Sequence, residues 1–231
     1  MLILAFDTSG PAVSAAVLTE KKLISSSLQN TGLTHSSVIL PMIDRVLEQA
    51  GITKEDLNLI ACVNGPGSYT GVRIGVSTAQ GLGTALGIPV VPVPALETLA
   101  YSLQAFPGIV VPVLDARAGQ IYTAAYEKGR ELLPVQAVCR EEYAQNLLQF
   151  SKPCLFCGDG LEAHFPFFSS VLGENAVRAP MHLSEINAAA AGEWALAHRE
   201  LAVPAADLRP VYLRLSQAER ERIARMDGKE S

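Results

Sequence analysis

The sequence predicts two related α/β halves facing a cleft. Apolar strand-length runs alternate with helical patterns, and an opening β-meander recurs later in the chain. The 231 residues, 49% of them hydrophobic, suffice for one or two compact cores.

Residues 2–6 are an apolar run ending at Asp7, followed by a turn at Ser9-Gly10-Pro11. Val13 to Leu18 reads as a second strand, and Glu20-Lys21-Lys22 as a hairpin turn before Leu23. The plan recurs at Ile109 to Leu114, Asp115, Ala118-Gly119, a strand from Ile121 to Tyr126 and a turn at Lys128-Gly129. An offset of 108 lays Asp7 over Asp115 and Val13 over Ile121, the mark of an internal duplication. Phe106-Pro107-Gly108 is the natural hinge, giving a first domain of residues 1–105 and a second of residues 106–231.

Between the two copies, a helix opens at Thr34 or His35 and runs to about Ala50, where Gly51 stops it. Its apolar residues, Val38, Ile39, Leu40, Met42, Ile43, Val46, Leu47 and Ala50, cover an arc of roughly 200°, about twice what one-sided burial demands. A buried strand from Leu57 to Val63 leads through the loop Asn64-Gly65-Pro66-Gly67-Ser68-Tyr69-Thr70 into a helix from Gly71 to about Leu86. On that helix Gly71, Gly75, Ala79, Gly83 and Gly87 recur every fourth residue, while the polar Arg73, Ser77, Gln80 and Thr84 share a narrow arc. Interior glycines cost about 1 kcal/mol each against alanine, so something packs very close to this helix. A strand at Ile88 to Val93 and a helix at Ala95 to about Gln104 complete the first half. The second half adds a helix at Glu141 to Phe150, a strand at Leu155 to Cys157 ending in Gly158-Asp159-Gly160, and an alanine-rich helix from Ser184 to Leu201. From Gln217 onward the chain is charged without an apolar stripe, a solvated helix or frayed tail.

The composition excludes several classes. A net charge of -5 argues against a chain that grips nucleic acid by itself, so any RNA would be held by another subunit. No apolar run is long enough for a membrane span, and Asp7 interrupts the first one, so a cytoplasmic location is expected. Cys62, Cys139, Cys154 and Cys157 are too few for a disulfide framework; Cys154-Leu155-Phe156-Cys157 lacks a second ligand pair and reads as a buried strand rather than a zinc knuckle.

Candidate chemistry is sparse. Asp7-Thr8-Ser9 and the Asp115 turn are loops of the kind that contact nucleotide phosphate, and equally of the kind that bond their own amides. The Asn64 to Thr70 loop offers amides at a helix N-terminus, but no Lys lies between Lys54 and Lys128, so it is not a P-loop. His35, His164, His182 and His198 have no metal-binding spacing, and no metal site is expected. Arg73, almost alone on an apolar helix, either stays in solvent or pairs across an interface.

Ile3-Leu4-Ala5-Phe6-Asp7-Thr8-Ser9, His35-Ser36 with Leu40-Pro41 and Ile43, and Asn64 through Gly75 resemble the bacterial TsaB (YeaZ) family. The likeness runs almost continuously to about Leu99, with Gly158-Asp159-Gly160 and Pro210-Val211-Tyr212-Leu213-Arg214 as later echoes. It implies the duplicated actin, sugar kinase and Hsp70 type of α/β fold and a role in making threonylcarbamoyladenosine beside the tRNA anticodon. It also implies a catalytic paralogue, TsaD, and a P-loop ATPase, TsaE, as partners. In TsaD a His-x-x-x-His helix binds the metal; the likeness puts those ligands at Ala95 and Leu99, which cannot coordinate one. A non-catalytic subunit is therefore expected, with ATP and metal on its partners. In the family this helix pair packs against the equivalent pair of TsaD as a four-helix bundle. The expected interface is His35, Ile39, Leu40, Ile43, Val46, Leu47, Gly71, Arg73, Ile74, Gly75, Thr78, Ala79, Leu82, Gly83 and Leu86, with a homodimer through the same surface when TsaD is absent. A residual nucleotide cleft would comprise Asp7, Thr8, Ser9, Asp115, Gly158, Asp159 and Gly160. Two other readings stay open: a stand-alone phosphotransferase using Asp7 and Asp115 around a magnesium nucleotide, and an M22-type glycoprotease.

Overall fold

The computed structural model describes residues 1–117 and 119–214; Ala118, the stretch from Gln217 and its Arg220, Arg222 and Arg225 lie outside them. Two five-stranded mixed sheets carry the fold. The first orders as β3-β2-β1-β4-β5, from β1 (Leu2–Asp7), β2 (Val13–Thr19), β3 (Lys22–Gln29), β4 (Leu59–Gly65) and β5 (Val90–Pro94). The second orders as β8-β7-β6-β9-β10, from β6 (Ile109–Asp115), β7 (Gln120–Glu127), β8 (Arg130–Cys139), β9 (Cys154–Cys157) and β10 (Ala176–Arg178). Strand for strand the two orders are the same, which is the duplication expected from the repeated meander. β1, β4 and β6 are nearly continuous apolar runs because helices cover both of their faces.

The helices repeat as well. α1 (His35–Ala50), α2 (Tyr69–Leu86) and α3 (Ala95–Ser102) follow β3, β4 and β5, as α4 (Arg140–Leu148), α5 (Leu161–Leu172) and α6 (Ala188–Ala197) follow β8, β9 and β10. The expected second-half helices are shorter than their sequence patterns. Asn187 caps α6 by accepting from the Ala189 amide, so the helix cannot begin at Ser184, and Arg199–Leu201 is a separate 3-10 turn. β8 was implied only as the strand that follows the Lys128-Gly129 turn, and α5 and β10 were not foreseen.

Five layers result. α1 and α2 cover one face of the first sheet around Phe6, Val17, Ile43 and Val76, and α4 and α5 cover one face of the second around Phe156, Tyr143 and Phe168. Between the sheets lies a shared core of α3 and α6, with Leu96, Leu99, Trp194, Leu18 and Tyr126. Gly192 of α6 sits where a Cβ would collide with Leu18, so α6 lies directly on the first sheet.

Two features differ from the sequence reading. The ladder pairs Asp7 with Ser14 but Asp115 with Ile121, so the second turn is one residue shorter. Cross-strand partners share a face, so the overlay at offset 108 matches faces for β2 and β7 and reverses them for β1 and β6. Asp7 faces the shared core; Asp115 faces α5, with its carboxylate 3.9 Å from His164 Nε2. Second, residues 203–214 return to the first half. Val203 exchanges backbone hydrogen bonds with Val90 at the edge of β5, Ala205 packs beneath α2, Asn64 Nδ2 donates to the Arg209 carbonyl, and Val211 N donates to Asn64 O. This strap then crosses to the second half, where Arg214 donates to the carbonyls of Ala116 and Arg117.

Candidate functional site

Of the residues expected to bind nucleotide, the first-half turn is sealed by its own chain. Thr8 Oγ1 donates to the Gly71 carbonyl at 2.7 Å, Ser68 N donates to Ser9 O at 2.7 Å, and Asp7 Oδ1 accepts from Ser9 N at 2.9 Å. Gly71 lies against the Thr8 carbonyl so tightly that any side chain would collide with it. Asp7 is 1% exposed, and burial pushes its carboxyl up to about 6. Its Oδ2 and the Ser9 hydroxyl have no hydrogen-bond partner among the described residues.

The second-half turn is open. Asp115 is exposed and accepts from Arg117 N at 2.8 Å; its own amide donates to Asp159, whose carboxyl burial raises to about 6. A cleft of about 730 Å³ separates the two turns, walled by Ser9, Asp115, Arg117, Asp159, Tyr212 and Arg214. Three of the expected residues, Ser9, Asp115 and Asp159, thus line it, whereas Thr8, Gly158 and Gly160 are packed against neighbouring backbone. Asp7 and Asp115 point to opposite faces of their sheets and do not jointly frame a nucleotide, so the arrangement required by the phosphotransferase reading is not formed.

The helix pair shows why its small residues recur every fourth position. A Cβ at Gly75 would lie 2.7 Å from Thr8 Oγ1, one at Gly83 would lie 2.6 Å from the Ala205 Cβ, and Ala79 is wholly buried. The ridge of Gly71, Gly75, Ala79 and Gly83 therefore packs on β1, β4 and the returning strap, which corrects its assignment to a partner. Ile39, Ile43, Val46 and Leu47 are buried in the same core. His35 is half-buried, its Nε2 2.8 Å from the Gly10 carbonyl, tying the start of α1 to the first turn.

What α1 and α2 leave outside is a groove of about 470 Å³, lined by Ser36, Leu40, Tyr69, Arg73, Ile74, Ser77 and Thr78 among others. Leu40 is 49% exposed, Arg73 is exposed, and Ile74, Thr78, Leu82 and Leu86 are half-buried. At one end of the groove Tyr69 stacks on Tyr212 with centroids 4.7 Å apart. The Arg73 guanidinium lies 4.2 Å over Tyr69, and its Nε donates to Tyr212 Oη at 2.9 Å. Arg73 is thus held by its own chain while remaining at the surface. Ser36, Tyr69, Thr70 and Ser77 were absent from the expected interface; for the three on α2 the signal was spacing of four, since Tyr69, Arg73, Ser77 and Thr70, Ile74, Thr78 form adjacent stripes beside the one that carries Gly71, Gly75 and Ala79.

The two positions aligned with metal ligands fit no metal. Ala95 and Leu99 of α3 are buried in the shared core at 0% and 1% exposure, and neither has a donor atom. Among the described residues no group of three His, Cys, Asp or Glu is placed to hold a metal ion, and no helix is long and apolar enough to cross a membrane.

The family model described as TsaD, tRNA N6-adenosine threonylcarbamoyltransferase, matches residues 29–219. A Bacillus subtilis (strain 168) protein named tRNA threonylcarbamoyladenosine biosynthesis protein TsaB is 35% identical over 225 residues, covering 95% of this chain and 96% of that one. A Haemophilus influenzae protein of the same name is 32% identical over 231 residues, covering 93% and 94%. A crystal structure from Pseudomonas aeruginosa, described as an uncharacterized protein with similarity to peptidase YEAZ, superimposes with a TM-score of 0.74 at 28% identity, covering 92% of this chain and 99% of that one.

Proposed function

We propose that this chain, which belongs to the TsaB family of tRNA threonylcarbamoyladenosine biosynthesis proteins, serves that pathway as a non-catalytic subunit that docks TsaD through the α1–α2 groove. The observation that carries the reading is the groove itself. Leu40 and Ile74 offer aliphatic surface at its centre, Ser36, Thr70 and Ser77 line its walls, and Arg73 stands at the rim, the anatomy of a protein–protein contact. The buried aliphatic side chains at Ala95 and Leu99 support a supporting rather than catalytic role, with ATP and metal supplied by partner subunits. TsaE and tRNA join through TsaD in this proposal, the complex is cytoplasmic, and the groove pairs with a second copy of the chain when TsaD is absent.

The test is co-purification and titration of TsaD with Leu40→Glu and Ile74→Glu. Leu40 is 49% exposed, so Leu40→Glu melts near wild type, whereas Ile74→Glu, at a side chain partly packed on the chain's own core, melts a few degrees lower; in both, affinity falls at least about 100-fold, the effect of an unpaired charge buried in an interface. Unchanged affinity in both variants would place the contact elsewhere.

A further inference from the structure

Three carboxyl groups converge where the second half meets the first, at a place the docking groove does not involve. Asp7 from the end of β1, Asp159 from the β9–α5 loop and Glu185 from the segment before α6 line one small cavity of about 10 Å³ together with Gly10, Pro11 and Leu114. That is room for about one water molecule. Asp7 is buried, its Oδ2 has no hydrogen-bond partner among the described residues, and two further acids line the same cavity.

The segment that delivers Glu185 fastens the second half to the first sheet. Asn30 Nδ2 donates to Glu185 Oε1 at 3.2 Å, Ser14 Oγ donates to the Ile186 carbonyl at 3.1 Å, and the Ala188 amide donates back to Ser14 Oγ at 3.0 Å. The other charged or titratable groups near the cluster, among the described residues, are His35 from α1, the Cys62 thiol from β4, Asp115 from β6 and, on the wall of the cleft that Asp159 also lines, Arg117 and Arg214. Asp7 feels the positive charge of His35, whose ring is engaged with the Gly10 carbonyl.

We propose that Asp7, Asp159 and Glu185 form a proton-held latch: with protons retained in the cluster the 184–188 segment is seated on the first half, and their loss loosens that seat. Burial raises all three carboxyls, Asp7 and Asp159 to about 6, and Asp7 and Asp159 each feel Glu185 as a like charge. The folded state therefore binds these protons more tightly than the unfolded chain does. The stabilisation is complete below the ordinary carboxylate range and is lost as pH rises through about 6.

Melting curves of the full-length wild type, Asp7→Asn and Glu185→Gln between pH 4.5 and 8 test this. Both substitutes keep the acceptor that Ser9 N or Asn30 uses, so the fold survives. At pH 8 each variant should melt about 3 °C above wild type, and the difference should shrink steadily as the pH falls toward 4.5. Hydrogen exchange supplies an independent reading: at pH 8 the Ala188 amide should open about tenfold less often in Glu185→Gln than in wild type. Variants that track the wild type across the range, or that are destabilised equally at every pH, overturn the latch. So does Mg²⁺ or Ca²⁺ in millimolar amounts raising the wild-type melting temperature at pH 8 but not that of the variants, which would make the cluster a cation site.

Discussion

The outer helix pairs of the two halves occupy equivalent places and have opposite surfaces. In the second half, α4 and α5 close over their own aromatics: the Arg140 guanidinium lies 4.8 Å over Phe167 and donates to the Ala163 carbonyl, while Arg178 lies 5.9 Å over Phe165 and pairs with Glu162. Arginine lids of this kind keep a partly buried ring from offering bare apolar surface. In the first half, Arg73 covers Tyr69 but, among the described residues, no arginine is stacked over Leu40 or Ile74, and the groove between α1 and α2 is open. One duplicated unit is thus finished as a self-contained layer, and the other is left with an open, partly apolar groove. The same division holds for the two turns: the Asp7 turn is sealed by Gly71 and Ser68, whereas the Asp115 turn faces the cleft.

Each difference can be attacked directly. The largest effect belongs to the glycine ridge. Ala79→Arg or Gly75→Glu places a charge against β4 and Thr8 in the chain's own core, costing at least about 4 kcal/mol, and circular dichroism should show no cooperative melting. A folded Ala79→Arg protein that merely fails to bind TsaD would return the ridge to the interface. Next comes the contrast between the outer surfaces. Leu148→Glu, at a 44% exposed position on α4, should leave TsaD affinity within about twofold of wild type, while Leu40→Glu abolishes most of it in the same titration. Equal losses would mean that the halves are not specialised in this way. A smaller effect is expected at the strap: Tyr212→Ala removes the stack on Tyr69 and the acceptor for Arg73, lowering stability by about 1 kcal/mol in urea denaturation. The smallest is Arg140→Ala, about 0.5 kcal/mol for a cation–π contact at a half-exposed site, read in the same assay.

Much of the architecture was readable from local pattern. β1, β4 and β6 announce themselves as apolar runs, and α1 ends at Gly51 and α2 at Gly87, each in the left-handed conformation that glycine accepts readily. α5 was missed because Pro166 and the neighbouring phenylalanines blur its helical period, although the duplication itself demanded a counterpart to α2. The identity of the helix pair was readable and its orientation was not. Apolar residues around α2 show that both sides are covered or sticky, but only the return of residues 203–214, more than a hundred positions later, decides that the glycine side belongs to the chain itself. The Asp7–Asp115 overlay failed for a similarly nonlocal reason, since one residue of turn length reverses a strand's face.

The returning strap also sets an order on biosynthesis. A ribosome that has made the first hundred residues has delivered every strand of the first sheet, yet the underside of α2 at Gly83 and Gln80 still awaits Ala205 and Leu208. The first half thus emerges before the second and is sealed only after it, so a nascent chain stalled before residue 203 would carry an unsealed seam open to chaperones or to aggregation.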